Sequence, residues 1–357
     1  MRGMSPSRAR ASNLALIHTC LLCLVLGMAA PAAEVDPVRE AVGKVSTDQY
    51  QAYEVAIENM GLGLYGGPEY NQQFRNRDGW SGDGTLGNQE ARLYLSDQFS
   101  AMGLTVSIEG VYQNVVADWP GAQRPQEMYI VCAHYDTTGG IERPGGDDDA
   151  SGTAGVLEAA RVLTQYRFRS SLRFIAFNAE EDWTKGSQEY VNALPQDANI
   201  VGVINLDMIL RPAWDNKADA SKDLEVETLN VPFCAAWVQT FVTAAKTYVP
   251  SLRIGPNSHY PEIWDAGDHG PFVYAGYAAL CATENTVDAI WLGSSNIYYH
   301  SEEDASNALA NDPFSSSGVT YDYDFAANVV KATVATLARK AACLGTQKNS
   351  YVPGPQH

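Results

Sequence analysis

Four apolar runs in the middle of this chain, residues 128–133, 171–177, 200–204 and 277–281, have the length of buried strands, and stretches with helical spacing lie between them. Alternation of this kind predicts an α/β fold: a mixed β-sheet, parallel at its centre, sandwiched by helices. Such a sheet puts the ends of its central strands on one edge, and that edge is where open α/β sheets bind ligands. The residues that follow each run therefore carry the most information. His134 and Asp136 follow the first run, Glu180 and Glu181 the second, and Asp207 the third.

The segment after the first run also holds three consecutive acids, Asp147, Asp148 and Asp149, just before the helical spacing of 153–163. Adjacent carboxylates repel one another and raise each other's pKa unless a cation lies among them. A divalent metal is the simplest such cation. An Asp-rich turn capping a helix is the competing reading of the same residues.

Outside this centre the pattern is plainer. Residues 36–66 are mostly helical in spacing, 68–87 read as a Gly- and Asn-rich loop, and 89–102 as an amphipathic helix stopped by Gly103. Residues 105–109 and 113–118 alternate in polarity, as strands of a hairpin do. Residues 211–230 are polar and read as a surface excursion, 232–248 as a helix, and 324–344 as a closing helix. A chain of 357 residues, 45% hydrophobic and 18% charged, has material for one large core.

Residues 1–32 fall outside that domain. Arg2, Arg8 and Arg10 precede an apolar stretch over 14–30, and Ala30-Pro31-Ala32 offers a small-x-small cleavage site, the pattern of a secretory signal peptide. The stretch is short for a bilayer span, and no later segment is apolar enough for one. The expected organisation is a signal peptide over 1–32, a single domain over 33–345 and a tail over 346–357, with the protein secreted or periplasmic. The formal charge is −18, and removing the leader removes three arginines and no acid. So acidic a surface argues against nucleic acid and anionic membranes as partners and mildly favours substrates with a free amine. Cys132, Cys234, Cys281 and Cys343 remain after the leader; buried thiols are the default, with room for one disulfide in an exported chain.

His134, Asp148, Glu181 and Asp207 can converge at one sheet edge although they are far apart in sequence. A fifth group comes from His300, followed four residues later by Asp304. Histidine and carboxylate donors together suit zinc, ahead of manganese or cobalt. Two metals about 3.5–4 Å apart and bridged by a carboxylate polarise a carbonyl and activate a shared water. In a Glu-Glu pair, one side chain can bind metal while its neighbour takes the proton.

At this point the chain resembles a known family, the zinc-dependent M28 aminopeptidases. The resemblance rests on His134-Tyr-Asp136, Gly145-Gly-Asp-Asp-Asp-Ala-Ser-Gly152, Ala179-Glu-Glu181, Asn205-Leu-Asp-Met208 and His300-Ser-Glu-Glu-Asp304, five motifs in the family's order. It implies two zinc ions per chain: His134 and Asp207 on one, Glu181 and His300 on the other, Asp148 bridging. It further implies Glu180 as general base, Asp136 orienting His134, Asp149 and Asp304 in supporting positions, and a cis peptide joining Asp148 to Asp149. Asp268-His269 resembles a segment near the family's substrate pocket, with Gly267 in place of a serine. Ala305 replaces a threonine, and Trp183-Thr-Lys replaces a small or leucine-rich segment. These departures bear on pocket shape, not on the ligand set. Tyr260, Trp264, Tyr298 and Tyr299 are candidates for an aromatic pocket, and equally for loop packing.

The expected activity is that of a dinuclear zinc exopeptidase, an aminopeptidase whose partner is a peptide with a free N-terminus. Alternatives on the same scaffold are a glutaminyl cyclase-like acyltransferase with a single zinc, a carboxypeptidase or dipeptidase, and a non-catalytic binding module, a kind of relative that typically loses ligands, none of which is lost here.

Overall fold

The structure is a computed structural model and describes residues 36–63, 75–80, 84–211, 213–214, 222–255, 267–284, 298–306 and 321–346. The chain divides after Asp36, and the unit from Pro37 onward is the one described below. The leader over 1–32, Tyr260, Trp264 and residues 347–357 of the tail lie outside the described residues.

A sheet of nine strands forms the middle of this unit. In chain order the strands are β1 (Thr105–Glu109), β2 (Asn114–Trp119), β3 (Arg124–His134), β5 (Ser170–Phe177), β6 (Asn199–Leu206), β7 (Ala213–Trp214), β8 (Lys222–Glu227), β9 (Arg253–Ile254) and β10 (Ala279–Thr283). Their spatial order is β1-β2-β5-β3-β6-β10-β8-β7, with β9 beside β8. The central pairings β5-β3, β3-β6 and β6-β10 are parallel. β1-β2, β2-β5 and β10-β8 are antiparallel. The mixed sheet with a parallel centre is thus the observed one.

Central strands apolar on both faces follow from helices on both faces. In β3, Tyr129, Val131 and Ala133 enter the larger core, while Ile130 and Cys132 point into the smaller one. The larger core is closed by α1 (Pro37–Val42), α2 (Thr47–Glu58), α3 (Leu86–Ala101), α4 (Gly152–Leu163), α6 (Pro232–Tyr248) and α8 (Tyr323–Lys340). The smaller is closed by α5 (Lys185–Asn192), α7 (His269–Tyr274) and Cys234 of α6.

Several expectations are corrected. The helical spacing over 36–66 breaks into two helices at Gly43, the second capped by Ser46, whose hydroxyl accepts from the Gln49 amide at 3.2 Å. Thr85 caps α3 in the same way, so the helix starts at Leu86 inside the expected loop. Residues 211–230 are not merely a surface excursion: β8 pairs with β10 and buries Leu224 and Val226 completely. Its flanking charges hid a period-2 pattern of only two apolar residues. The closing helix stops at Lys340, and β11 (Cys343–Thr346) pairs with β4 (Tyr166–Phe168) as a small second sheet.

Cys132, Cys234 and Cys281 are buried free thiols. Cys132 and Cys281 occupy the same sheet row but are separated by β6, and Asn205 stands between them, 3.5 Å from one sulfur and 3.6 Å from the other. No described helix is long and apolar enough to cross a membrane.

Candidate metal centre

Parallel register decides where the acids meet. His134 at the end of β3 is level with Phe177 at the end of β5, and Leu206 of β6 with Ala282 of β10. The turns leaving these strands therefore share one rim.

His134 is buried, and its two ring nitrogens face different groups. Nδ1 lies 3.2 Å from the Asp136 carbonyl and 3.4 Å from its Oδ1. Nε2 lies 3.3 Å from Asp148 Oδ1, 3.8 Å from Asp207 Oδ1 and 4.0 Å from Glu180 Oε2. His300, on the turn before α8, puts Nε2 3.1 Å from Asp148 Oδ2 and 3.0 Å from Glu181 Oε2. Asp148 therefore turns one oxygen toward each histidine. The ring of Tyr299 stacks on that of His300 at 3.6 Å between centroids.

The remaining acids hold the backbone. Asp136 accepts from the amides of Glu180 and Glu181, both at 3.2 Å, which fixes the turn after β5. Asp304 accepts from the amides of Asp147 and Asp148 at 3.0 and 3.1 Å and from the Tyr321 hydroxyl. Asp149, joined to Asp148 by a cis peptide bond, accepts from the Gly152 amide at 2.7 Å, the Met208 amide at 3.3 Å and the His134 amide at 3.2 Å.

By distance alone the donor atoms form two sets, His134 with Asp149 and Asp207, and Asp148 with Glu181 and His300. Asp149 is a poor candidate ligand all the same, because both its oxygens are already spent on backbone amides and the Ser151 hydroxyl. Asp148 Oδ1, 3.3 Å from His134 Nε2 and free of such bonds, is the better donor for the first set.

The electrostatics call for cations. Burial opposes the charge on His134, yet Asp136, Asp148 and Asp207 outweigh it and raise its pKa well above the ordinary value. His300 is pushed up to about 10 against its burial by Asp148 and Glu181. Burial and the charge of Asp148 push Glu181 up to about 7, and burial with Asp207 and Glu181 raises Glu180 well above the carboxylate range. Glu181 Oε1 is a buried atom without a hydrogen-bond partner, and Asp148 Oδ2 and His300 Nε2 face each other at 3.1 Å without hydrogen-bond geometry. A buried carboxylate oxygen in that state fits a site that takes an ion, and histidine with carboxylate is a donor set that fits zinc.

Asp268 and His269 open α7 and are fully buried. Burial, with Asp136 and Asp207 acting against His134, pushes Asp268 up to about 7. A Cβ on Gly267 would lie 3.3 Å from His269 Nδ1, so the glycine lets the histidine ring sit close under the backbone. Tyr298 is buried, with Arg211 over its ring at 5.1 Å. Arg77, Asn88, Asn178 and Tyr321 also hold the centre, and nothing in their spacing pointed to it.

An open α/β sheet whose strand-end turns converge two sets of histidine and carboxylate donors on one shared aspartate defines a class of metal-binding α/β protein. The model of Peptidase family M28 matches residues 114–320, more than half of the chain, and the chain belongs to that family. A probable zinc metalloprotease of Pyrenophora tritici-repentis is 24% identical over 284 residues, 70% of this chain and 54% of the relative. Aminopeptidase YwaD of Bacillus subtilis is 28% identical over 217 residues, 58% of this chain and 42% of the relative. The chain spans about half the length of the curated relatives it matches. Among solved structures, the LapA aminopeptidase of Legionella pneumophila superposes with a TM-score of 0.65 at 18% identity, over 89% of this chain and 78% of that one. A glutaminyl cyclase of Bacteroides thetaiotaomicron does so with 0.59 at 17% identity, over 82% and 97%. These likenesses establish the fold.

Proposed function

We propose that the chain is a zinc-dependent exopeptidase, an aminopeptidase that removes N-terminal residues from peptides, and that it holds two zinc ions. One observation carries the reading: Asp148 faces His134 with one oxygen and His300 with the other. His134 and Asp207 would hold the first ion, Glu181 and His300 the second, with Asp148 between them. Bound there, the ions supply Lewis-acid polarisation of a substrate carbonyl and an activated water. The chain's own part falls to Glu180, which lies within 4.0 Å of His134 Nε2 and does not share an oxygen with either histidine–Asp148 contact. Its carboxylate takes the proton of the attacking water and returns it to the leaving amine. Asp136 fixes the backbone of Glu180 and so keeps that carboxylate aimed. The surplus of acids favours a substrate that brings an ammonium, which agrees with a free N-terminus.

The similarity to probable zinc metalloproteases and to an aminopeptidase supports the same reading. Export is proposed from residues 1–32 alone. The test is zinc content per chain together with hydrolysis of matched peptides carrying free or blocked amines. Two zinc ions and hydrolysis of the free-amine peptide are expected. A single tightly held zinc with acyl transfer, or preference for the blocked peptide, would replace this reading with the cyclase or carboxypeptidase one.

A further inference from the structure

Arg77 is fully buried, and its guanidinium is surrounded by main-chain carbonyls rather than paired with a carboxylate. Nε donates to the Tyr135 carbonyl at 2.8 Å, Nη1 to those of Ile57, at 3.1 Å, and Pro144, and Nη2 to that of Gly145 at 3.1 Å. Its own amide donates to Thr137 Oγ1 at 3.0 Å. Tyr135 lies between His134 and Asp136, and Pro144-Gly145 opens the turn that presents Asp148. One planar group therefore ties two of the ligand-bearing segments to the end of α2.

The same stretch reaches the third segment. The Arg77 carbonyl accepts from Asn88 Nδ2 at 2.7 Å, and that amide also donates to Asn178 Oδ1 at 2.8 Å, two residues before Glu180. Gly79 packs so close to Asn178 that a Cβ would sit 2.2 Å from its Oδ1. Burial lowers the Arg77 pKa, and Glu58, Asp136, Asp149 and Asp304 act against that loss by favouring the charged guanidinium.

We infer that Arg77 is the positioning residue of the centre: a permanent buried cation that holds the His134–Thr137 segment and the turn before Asp148 in ligating arrangement before any metal binds. This rests on the two-metal reading above. Arginine is required because its fork offers five donors in a fixed plane, which lysine cannot reproduce.

The test uses Co²⁺ as the metal probe on the metal-free full chain, with affinity from chelator competition and geometry from visible absorption. The variants are Arg77→Lys, Arg77→Met and the milder Thr137→Val, and Leu337→Ala in α8 is a control for lost stability. All are measured at a temperature where circular dichroism shows them folded. The Arg77 variants are expected to bind the first Co²⁺ about 10- to 100-fold more weakly with an altered spectrum. Thr137→Val should be weakened by a smaller factor, and Leu337→Ala should match the wild type. Wild-type affinity and spectrum in a folded Arg77 variant would overturn the inference. If neither Arg77 variant folds without metal, unchanged Co²⁺ binding by Thr137→Val overturns it instead. Failure of the wild type to bind Co²⁺ would sink the two-metal reading itself.

Discussion

At the scale of single residues, Glu180, half-buried, and Glu54, fully buried, are both acids with raised pKa values and have opposite expectations. Glu180→Gln keeps the shape of the side chain and removes the proton acceptor. It should lower kcat by about 10²–10⁴-fold with zinc content unchanged, and steady-state kinetics with metal analysis checks both. Glu54 is fully buried and accepts from the Tyr323 hydroxyl at 2.9 Å. Burial and the neighbouring Glu58 raise its pKa well above the carboxylate range. An acid whose folded pKa is raised binds more protons folded than unfolded, so its contribution to stability falls as pH rises above the unfolded value near 4.3. Glu54→Gln should therefore be more stable than the wild type at pH 8, by about 1–3 kcal/mol, with the gap closing toward pH 4 in denaturant titrations. His134, Glu181 and Asp207 were legible because each follows an apolar run, where a carboxylate needs a partner, whereas Asp148 and His300 stood out through the acidic triplet and the motif order. Arg77 was not, since a guanidinium that binds main-chain carbonyls leaves no partner side chain to match. Asn88 and Asn178 escaped because they bond to each other across 90 positions, a pairing that spacing does not reveal.

At the scale of elements, α4 meets β6 through Gly152. A Cβ there would lie 2.2 Å from the Leu206 carbonyl oxygen, which is backbone and has no room to move. Gly152→Ala should cost about 1–3 kcal/mol and disturb the Gly152 amide that Asp149 accepts from, which a drop in thermal midpoint with weakened zinc binding would register. The central strands were readable from sequence because helices cover both their faces and leave them apolar throughout. β8 has one apolar face formed by Leu224 and Val226, flanked by Lys222, Asp223, Glu225 and Glu227, and so reads as surface. β11 alternates half-buried and exposed residues and leaves its one large apolar residue, Leu344, exposed, so its sequence carries no buried apolar pattern. The break at Gly43 and the caps at Ser46 and Thr85 turn on local hydrogen bonds, which composition does not reveal.

At the scale of the whole molecule, the fold gathers acids at one rim and depends on cations to relieve them. Stripping metal with a chelator should lower the thermal midpoint, and added zinc should restore it, by about 4 kcal/mol when the metal is in thousand-fold excess over its Kd. Cys132, Cys234 and Cys281 are buried free thiols, so reductant should leave that midpoint unchanged, and thiol titration of the denatured chain should find these three reactive. Because β3, β5, β6 and β10 run the same way, they also begin together, at the far border from the acids. There the turn into β6 closes on itself, the Ala198 amide donating to the Pro195 carbonyl at 3.0 Å, with Gln196 and Asp197 exposed. A dye or surface tether fixed at Gln196 would thus report on the protein, or immobilise it, with its working border facing free solution.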